Sequence, residues 1–152
     1  MGFIVNPIAG MGGRVGLKGT DGVLEEAIAR GAKPVSPKRA VELLQELKEN
    51  THGNFIKIIT CPGIMGEEEA KEASVHVEIL PMEIEAKTTA EDTKRAVELL
   101  TDEKVDLIVF VGGDGTVKDI LDSMKKKGVE LPVLGIPSGV KMYSGVFAVN
   151  PS

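Results

Sequence analysis

The sequence predicts an α/β domain built on an open, mostly parallel sheet with helices on both faces. Short apolar runs alternate along the chain with segments whose apolar residues recur at helical spacing, an order typical of parallel α/β folds. The run Val105–Val111 is the strongest strand candidate, and its lack of alternation is typical of a central strand covered on both faces. The 152 residues suit a single domain.

The first part of the chain predicts a strand, a long turn and a helix. Gly2–Val5 is a short apolar run that leads into Asn6–Gly22, where six of seventeen residues are glycine. Turns of this length inside a compact domain are uncommon and are often functional. Asp21 can cap a helix over Val23–Arg30, which Gly31 then ends.

A longer helix and two strands follow. We expect Ser36 to cap the longer helix and Pro37 to be its first residue. Asn54–Thr60 predicts a buried strand. Gly66–Ala73 predicts a short acidic helix, and Val75–Leu80 alternates like another strand.

The last part predicts helix, strand, helix and strand. Thr89 can cap a helix over Glu91–Leu100, and Val105–Val111 leads through a glycine-rich turn into a helix that Gly128 ends. Pro132–Ile136 is the final short strand. Three apolar residues near the end have no following element to pack against: Val146, Phe147 and Val149. We therefore expect the chain to be a fragment of a longer protein.

Composition and charge exclude several classes of function. The net charge of -5 argues against a broad nucleic-acid surface, which needs a basic excess. No apolar stretch reaches the about 20 residues that span a bilayer, and the N-terminus lacks the basic region of a signal peptide. The single cysteine, Cys61, excludes an internal disulfide and suits a reducing compartment. We expect a cytoplasmic protein without membrane or nucleic-acid partners, and the sequence leaves a homo-oligomer open.

Three glycine-rich turns follow predicted strands: Asn6–Gly22, Gly112–Thr116 and Pro137–Gly145. If the strands are parallel, all three turns lie at one edge of the sheet, which is where open parallel sheets bind their ligands. The first turn matches neither the G-x-G-x-x-G pattern nor a P-loop. Its backbone at Gly10, Gly12 and Gly13 can still donate to a phosphate, with Arg14 adding charge; the alternative is a flexible connector.

The second turn places one carboxylate, Asp114, among glycines. One interpretation is that Asp114 caps the following helix, which is the commonest role of aspartate at this place. A cap does not require glycine on both sides, so we favour a turn that a bulky ligand approaches closely. The unpaired N–H groups at the start of the helix favour an anion, and Asp114 could hold magnesium or accept a proton from a hydroxyl.

The third turn offers Ser138, Lys141, Tyr143 and Ser144, with Ser138 and Lys141 as the phosphate-binding candidates. A lone lysine such as Lys141 is more often a solvated surface residue than a phosphate ligand. His52 and His76 lack a partner at ligand spacing, and Cys61 lacks a paired histidine. We interpret all three as structural or surface residues, and the sequence predicts no metal centre formed by the protein alone.

The motif GGDGT after an apolar strand, with an earlier NP-x-AG-x-GG turn, resembles the NAD kinase and diacylglycerol kinase superfamily. The stretches NPIAGMGGRVGLKGTDG and GIPSGVKMYSGVFA are similar to the ATP-NAD kinase-like proteins of archaea and bacteria. The resemblance covers Gly2–Asn150 and implies the N-terminal α/β domain of a two-domain enzyme, with a β-rich domain beyond it. It implies phosphoryl transfer from ATP (or polyphosphate) to the 2′-hydroxyl of NAD, with Mg²⁺ as the accompanying ion.

The resemblance also assigns roles to residues. Asp114 would be the base beside the reacting hydroxyl. The nucleotide-binding residues that it implies are Asn6, Gly10, Gly12, Gly13, Gly112, Gly113, Gly115 and Thr116, with Thr89 as a weaker match. The residue patterns of the first and third turns add Arg14, Ser138 and Lys141 to this set. The third turn lacks the Gly-Thr-x-Asn-Asp pattern of the lipid kinases, which speaks against a lipid acceptor. A kinase acting on another small molecule or a lipid, and a nucleotide-binding module without catalysis, stay open as alternatives.

Overall fold

The computed structural model describes residues 1–17, 24–51, 55–85, 87–139 and 142–148. Five parallel strands form one sheet in the order β3-β2-β1-β4-β5. In chain order the strands are β1 (Gly2–Val5), β2 (Ile59–Thr60), β3 (Glu78–Ile79), β4 (Ile108–Gly112) and β5 (Val133–Pro137). The helices are α1 (Met11–Arg14), α2 (Leu24–Ala29), α3 (Ser36–Asn50), α4 (Glu67–Glu72), α5 (Ala90–Asp102) and α6 (Asp114–Lys127). This is the open parallel α/β fold that the sequence predicts.

Helices cover both faces of the sheet, as predicted. On one face Phe3 and Val5 of β1 pack with Leu44 of α3. On the other face Ile4 packs with Val97 of α5 and Ile120 of α6. The alternation of consecutive β1 residues between two apolar clusters follows from the period of a strand, and it explains why β1 and β4 carry no polar residue.

The strand predicted over Asn54–Thr60 is wrong for most of its length. The side chain of Phe55 is 88% exposed and that of Ile56 is 41% exposed. Parallel pairing with β1 begins at Gly2 opposite Ile59, so residues before that point have no strand beside them. The strand predicted over Val75–Leu80 shortens in the same way, because β3 pairs with β2 only at Glu78 and Ile79.

Two predictions about helix caps have different outcomes. Thr89 is the N-cap residue of α5, as predicted. Ser36 is not a cap: it is the first residue of α3, it is fully buried, and its hydroxyl donates to the carbonyl oxygen of Ala9 at 3.4 Å. Ser36 therefore links α3 to the first glycine-rich turn. Asp21, the predicted cap of α2, lies outside the described residues.

The expectation that the last apolar residues lack a packing partner is wrong for Val146 and Phe147. Both pack against the core cluster on the α5–α6 face of the sheet. The segment that carries them returns to β5, where Phe147 forms an isolated parallel bridge with Gly135. Val149 lies outside the described residues. Among the described helices, none has the length and apolar character needed to cross a bilayer.

Candidate active site

The two central strands, β1 and β4, end level with each other. Val5 lies opposite Val111, and the next residue, Asn6, donates its backbone N–H to the carbonyl oxygen of Val111 at 2.9 Å. From β1 the chain builds outward to β2 and β3, and it then crosses to β4 and β5 on the other side. The chain connections therefore lead to opposite sides of the sheet at β1 and β4, which makes this pair the topological switch point. Open α/β sheets bind ligands beyond the carboxyl ends of the strands at such a point.

The side chain of Asn6 links the first turn to the second. Its amide nitrogen Nδ2 donates to Oγ1 of Thr116 at 3.0 Å, and its Oδ1 accepts from the backbone N–H of Ile8 at 3.3 Å. Thr116 lies in the first turn of α6 and is buried. The pair fixes the start of α6 relative to the end of β1, which sets the position of the residues between them.

Gly112 and Gly113 have different surroundings. A Cβ on Gly112 would lie 2.6 Å from Oγ1 of Thr116, so that glycine makes room for the threonine and not for a ligand. A Cβ on Gly113 would meet no described residue within 4 Å. Only Gly113 of this pair therefore leaves open space that a ligand could approach.

Asp114 is the first residue of α6 and is not its cap, because Gly113 occupies the N-cap position. Its Oδ2 accepts the backbone N–H of Tyr143 at 3.0 Å, and its Oδ1 accepts the backbone N–H of Ser144 at 3.2 Å. A carboxylate has about four acceptor sites, so each oxygen keeps one that can face a ligand. The interpretation of Asp114 as a helix cap is wrong.

The first and third turns touch each other at Gly10. Gly10 has φ of +80°, and a Cβ there would lie 1.9 Å from the carbonyl oxygen of Ser138. Ser138 in turn donates its N–H to the carbonyl oxygen of Gly112 at 3.0 Å. The hydroxyl oxygen of Ser138 is buried without a hydrogen-bond partner among the described residues. All three glycine-rich turns are therefore in contact, as the parallel arrangement predicts.

These turns border a cleft of about 1600 Å³. The predicted site residues that line it are Asn6, Gly10, Gly13, Thr89, Gly113, Asp114, Gly115 and Thr116. Gly12, Gly112 and Ser138 are buried behind its wall. Lys141 and the side chain of Arg14 lie outside the described part of the chain. Most of the residues that the sequence proposed thus meet at one edge of the sheet.

Thr89 lies on the far wall of the cleft, at the start of α5. Its hydroxyl donates to Oδ2 of Asp92 at 2.9 Å, and the same oxygen accepts the backbone N–H of Thr89 at 2.7 Å. The hydroxyl hydrogen is therefore already bonded in this arrangement. Thr89 and the GGDGT turn face one space from two different helices, α5 and α6.

Several residues that line the cleft were not predicted, among them the polar residues Thr93 and Lys118. Thr93 lies four residues after Thr89 on α5, and Lys118 lies four residues after Asp114 on α6. Residues four apart share one face of a helix, so the helical period was the signal that could have found both. Lys118 forms a 3.4 Å ion pair with Asp122 and brings a positive charge to the cleft.

Other ionisable candidates lie away from this cleft. Burial raises the pKa of the Cys61 thiol to about 12, with the nearby charge of Asp92 as a second cause, so the thiol stays protonated and inert. His76 lies on the exposed approach to β3, and His52 lies outside the described residues. In the part of the chain that the structure describes, no three histidine, cysteine or acidic side chains converge on a metal site.

The family model described as the ATP-NAD kinase N-terminal domain matches residues 1–152. The chain belongs to this family. No curated protein matches the chain with significant similarity. Membership of the NAD kinase family supports a kinase, and in this NAD kinase domain the GGDGT motif occupies the turn between β4 and α6, beside the β1–β4 switch point.

Proposed function

We propose that this domain belongs to a kinase that transfers the terminal phosphoryl group of ATP to the 2′-hydroxyl of NAD, giving NADP and ADP. The observation that supports this most is the position of Asp114. Its carboxylate lines the cleft at the switch point, between the three glycine-rich turns, and each of its oxygens keeps an unused acceptor site. Polyphosphate is the alternative donor.

Phosphoryl transfer depends mainly on positioning and on neutralising charge. We propose that the backbone of Gly10, Gly13, Gly113 and Gly115 approaches the donor phosphates. The unpaired N–H groups at the start of α6 suit this role, and glycine keeps side chains out of the space. The buried hydroxyl of Ser138, which lacks a partner among the described residues, is a further donor just behind these turns.

Asp114 would act on the acceptor. The 2′-oxygen of NAD attacks the terminal phosphorus, the bond from that phosphorus to the ADP oxygen breaks, and the hydroxyl proton passes to the carboxylate of Asp114. The proton is then released to solvent, which balances the reaction as NAD and ATP giving NADP, ADP and one proton.

A divalent metal fits this site only together with the nucleotide. Mg²⁺ is commonly bound by one or two carboxylates plus phosphate oxygens. Of the carboxylates that line the cleft, Asp114 lies at the turn between the phosphate-binding glycines and would share the ion, and Lys118 adds a positive charge at the same cleft. When bound, the ion would neutralise charge on the transferred phosphoryl group.

We also propose that residues 1–152 are one domain and that a second, β-rich domain supplies most of the acceptor site. The match to an N-terminal domain model and the resemblance of the motifs support this arrangement. NADP formation would then need both domains.

The test of the reaction is an acceptor panel with the full-length protein. ATP labelled in the terminal phosphate is offered with NAD, NADH, diacylglycerol or no acceptor, and the labelled products are separated. We expect label in NADP. Label in the lipid or in another metabolite would replace the proposed acceptor. Saturable ATP binding with no transfer to any acceptor would favour a nucleotide-binding module without catalysis.

A further inference from the structure

The segment after β5 returns to the outer edge of the sheet, where residues 146–148 lie beside β5 and run parallel to it. The backbone N–H of Gly135 donates to the carbonyl oxygen of Val146 at 2.8 Å, and the N–H of Ala148 donates to the carbonyl oxygen of Gly135 at 2.8 Å. These two bonds hold residues 146–148 against the middle of β5. The segment is therefore attached to the sheet at a fixed register.

Phe147 is the side-chain anchor of this attachment. Its ring meets that of Phe110 in β4 edge to face, with centroids 5.6 Å apart and planes at 63°. A Cβ on Gly135 would lie 2.6 Å from each of the two rings, so glycine at 135 is what allows the rings to meet. Phe147 also packs against the apolar cluster that α6 covers.

The turn between β5 and this anchor holds Asp114. The backbone N–H groups of Tyr143 and Ser144 each donate to one carboxylate oxygen, at 3.0 and 3.2 Å. The Tyr143 side chain is 82% exposed, so it does not fix the turn by its own burial. On the described C-terminal side the turn is attached by the partly buried residues Val146 and Phe147, and Phe147 also packs its ring against Phe110.

We infer that Phe147 is a positioning residue for phosphoryl transfer, which fixes the Asp114 carboxylate through the N–H groups of Tyr143 and Ser144. The inference rests on the proposed function, because it assumes that Asp114 meets the acceptor hydroxyl. Two N–H donors set the plane of the carboxylate and thereby direct its remaining acceptor sites. Without the anchor the turn moves, and the carboxylate loses its fixed orientation while the donor-binding glycines stay in place.

The test uses Phe147→Ala and Phe147→Leu in the full-length protein, with Phe55→Ala as the control. Phe55 is 88% exposed and lies on the approach to β2, so its loss removes an equal side chain without touching the anchor. Misplacing a reacting group by about 1 Å costs about 100-fold in rate. We expect Phe147→Ala to lower kcat by about that factor with the KM for ATP unchanged, Phe147→Leu to restore most of kcat, and Phe55→Ala to match wild type.

Amide NMR signals supply a readout that does not depend on turnover. We expect Asp114→Asn to shift the Tyr143 and Ser144 amide signals and Phe147→Ala to shift the same two signals, with Phe55→Ala leaving both in place. Unmoved signals in Phe147→Ala, or moved signals with wild-type kcat, would overturn the inference. If Phe147→Ala does not fold, Phe147→Leu decides by the same two signals.

The two proposals fail differently. A wild-type protein that makes no NADP contradicts the proposed function, and the amide signals then still decide whether Phe147 controls the contacts of Asp114. A wild-type protein that makes NADP, with a Phe147→Ala variant of wild-type kcat, leaves the function intact and removes the positioning role.

Discussion

Neighbouring glycines serve different purposes at the residue scale. Gly112 accommodates the side chain of Thr116, whereas Gly113 faces open space beside Asp114. Gly10 combines a left-handed backbone with direct contact to the carbonyl of Ser138. The sequence showed that glycine is needed in these turns, but the partner that requires each one lies far along the chain. Only the folded arrangement separates packing glycines from ligand-facing ones.

Gly10→Ala tests the contact between the first and third turns. The substitution forces an alanine into φ of +80° and places its Cβ 1.9 Å from the carbonyl oxygen of Ser138. Left-handed backbone costs about 1–2 kcal/mol and overpacking about 1–3 kcal/mol, so we expect a loss of about 2–5 kcal/mol in the free energy of unfolding. Urea unfolding measures it.

Gly16→Ala is the matched control for this prediction. Gly16 has φ of +79°, but a Cβ there meets none of the residues that the structure describes within 4 Å. It should therefore show only the backbone cost of about 1–2 kcal/mol. Equal losses in the two variants would mean that the first and third turns are not in close contact.

Glu69→Gln tests a buried acid on α4. Burial, aided by the charges of Glu68 and Glu72, raises the pKa of Glu69 to about 7, from an ordinary value of 4.5. The folded state therefore holds its proton more tightly than the unfolded state, so its contribution to stability is fully present below pH 4.5. It is lost as the pH rises through about 7.

We expect Glu69→Gln to match wild type near pH 4.5 and to melt at least about 3 °C higher at pH 8. Thermal unfolding followed by circular dichroism at the two pH values measures this difference. The control is Glu130→Gln, an exposed residue after α6, which should shift the melting temperature little at either pH. A Glu69→Gln advantage that is the same at both pH values would contradict a buried, protonated Glu69.

At the element scale, helices α5 and α6 are joined by several side-chain hydrogen bonds and by ion pairs. Lys127 near the end of α6 donates to the carbonyl oxygen of Glu98 at 2.7 Å and to Oγ1 of Thr101 at 3.0 Å, and it pairs with Asp102. Ser123 adds a hydrogen bond to the carbonyl oxygen of Lys94. Because both helices start at the cleft, these links at their far ends help to fix its two walls.

Lys127→Met should lower the free energy of unfolding by about 1–2 kcal/mol, since it removes charged hydrogen bonds but keeps the apolar stem. Lys125→Met is the control, because it removes the same charge from the same last turn of α6 at an exposed position. Urea midpoints of the two variants give the comparison. A loss as large in Lys125→Met would assign the effect to the helix dipole.

The elements differed in how well the sequence predicted them. The strand β4 was predicted well because an unbroken run of apolar residues indicates a buried strand even when its neighbouring strands are unknown. All five residues of β4 are buried. The strand β2 was predicted too long, because Phe55 and Ile56 are residue types that favour strands. The pairing of β2 with β1 begins only at Ile59, opposite Gly2 near the start of the chain. The contacts of Asp114 with Tyr143 and Ser144 use backbone N–H groups, which nearly every residue type has, so the sequence could not predict them.

At the scale of the whole molecule, topology explains why the predicted residues meet. The order β3-β2-β1-β4-β5 brings the ends of β1 and β4 side by side, and β5 adds its own turn next to them. Residues separated by more than a hundred positions, such as Asn6 and Thr116, thus form a direct hydrogen bond. The parallel arrangement that predicted this convergence required only the order of strands and helices, not their bounds.

The central claim is that Asp114 accepts the proton of the acceptor hydroxyl, and single-substitution kinetics of Asp114→Asn in the full-length protein test it most directly. Asparagine keeps an oxygen for one of the two N–H bonds, but its amide nitrogen can neither accept the other nor take the proton. We expect NADP formation at saturating substrates to fall by about 10²–10⁴-fold with ATP affinity kept, while Asp106→Asn, an exposed control, keeps wild-type turnover. Turnover of Asp114→Asn near the wild-type value would contradict the account.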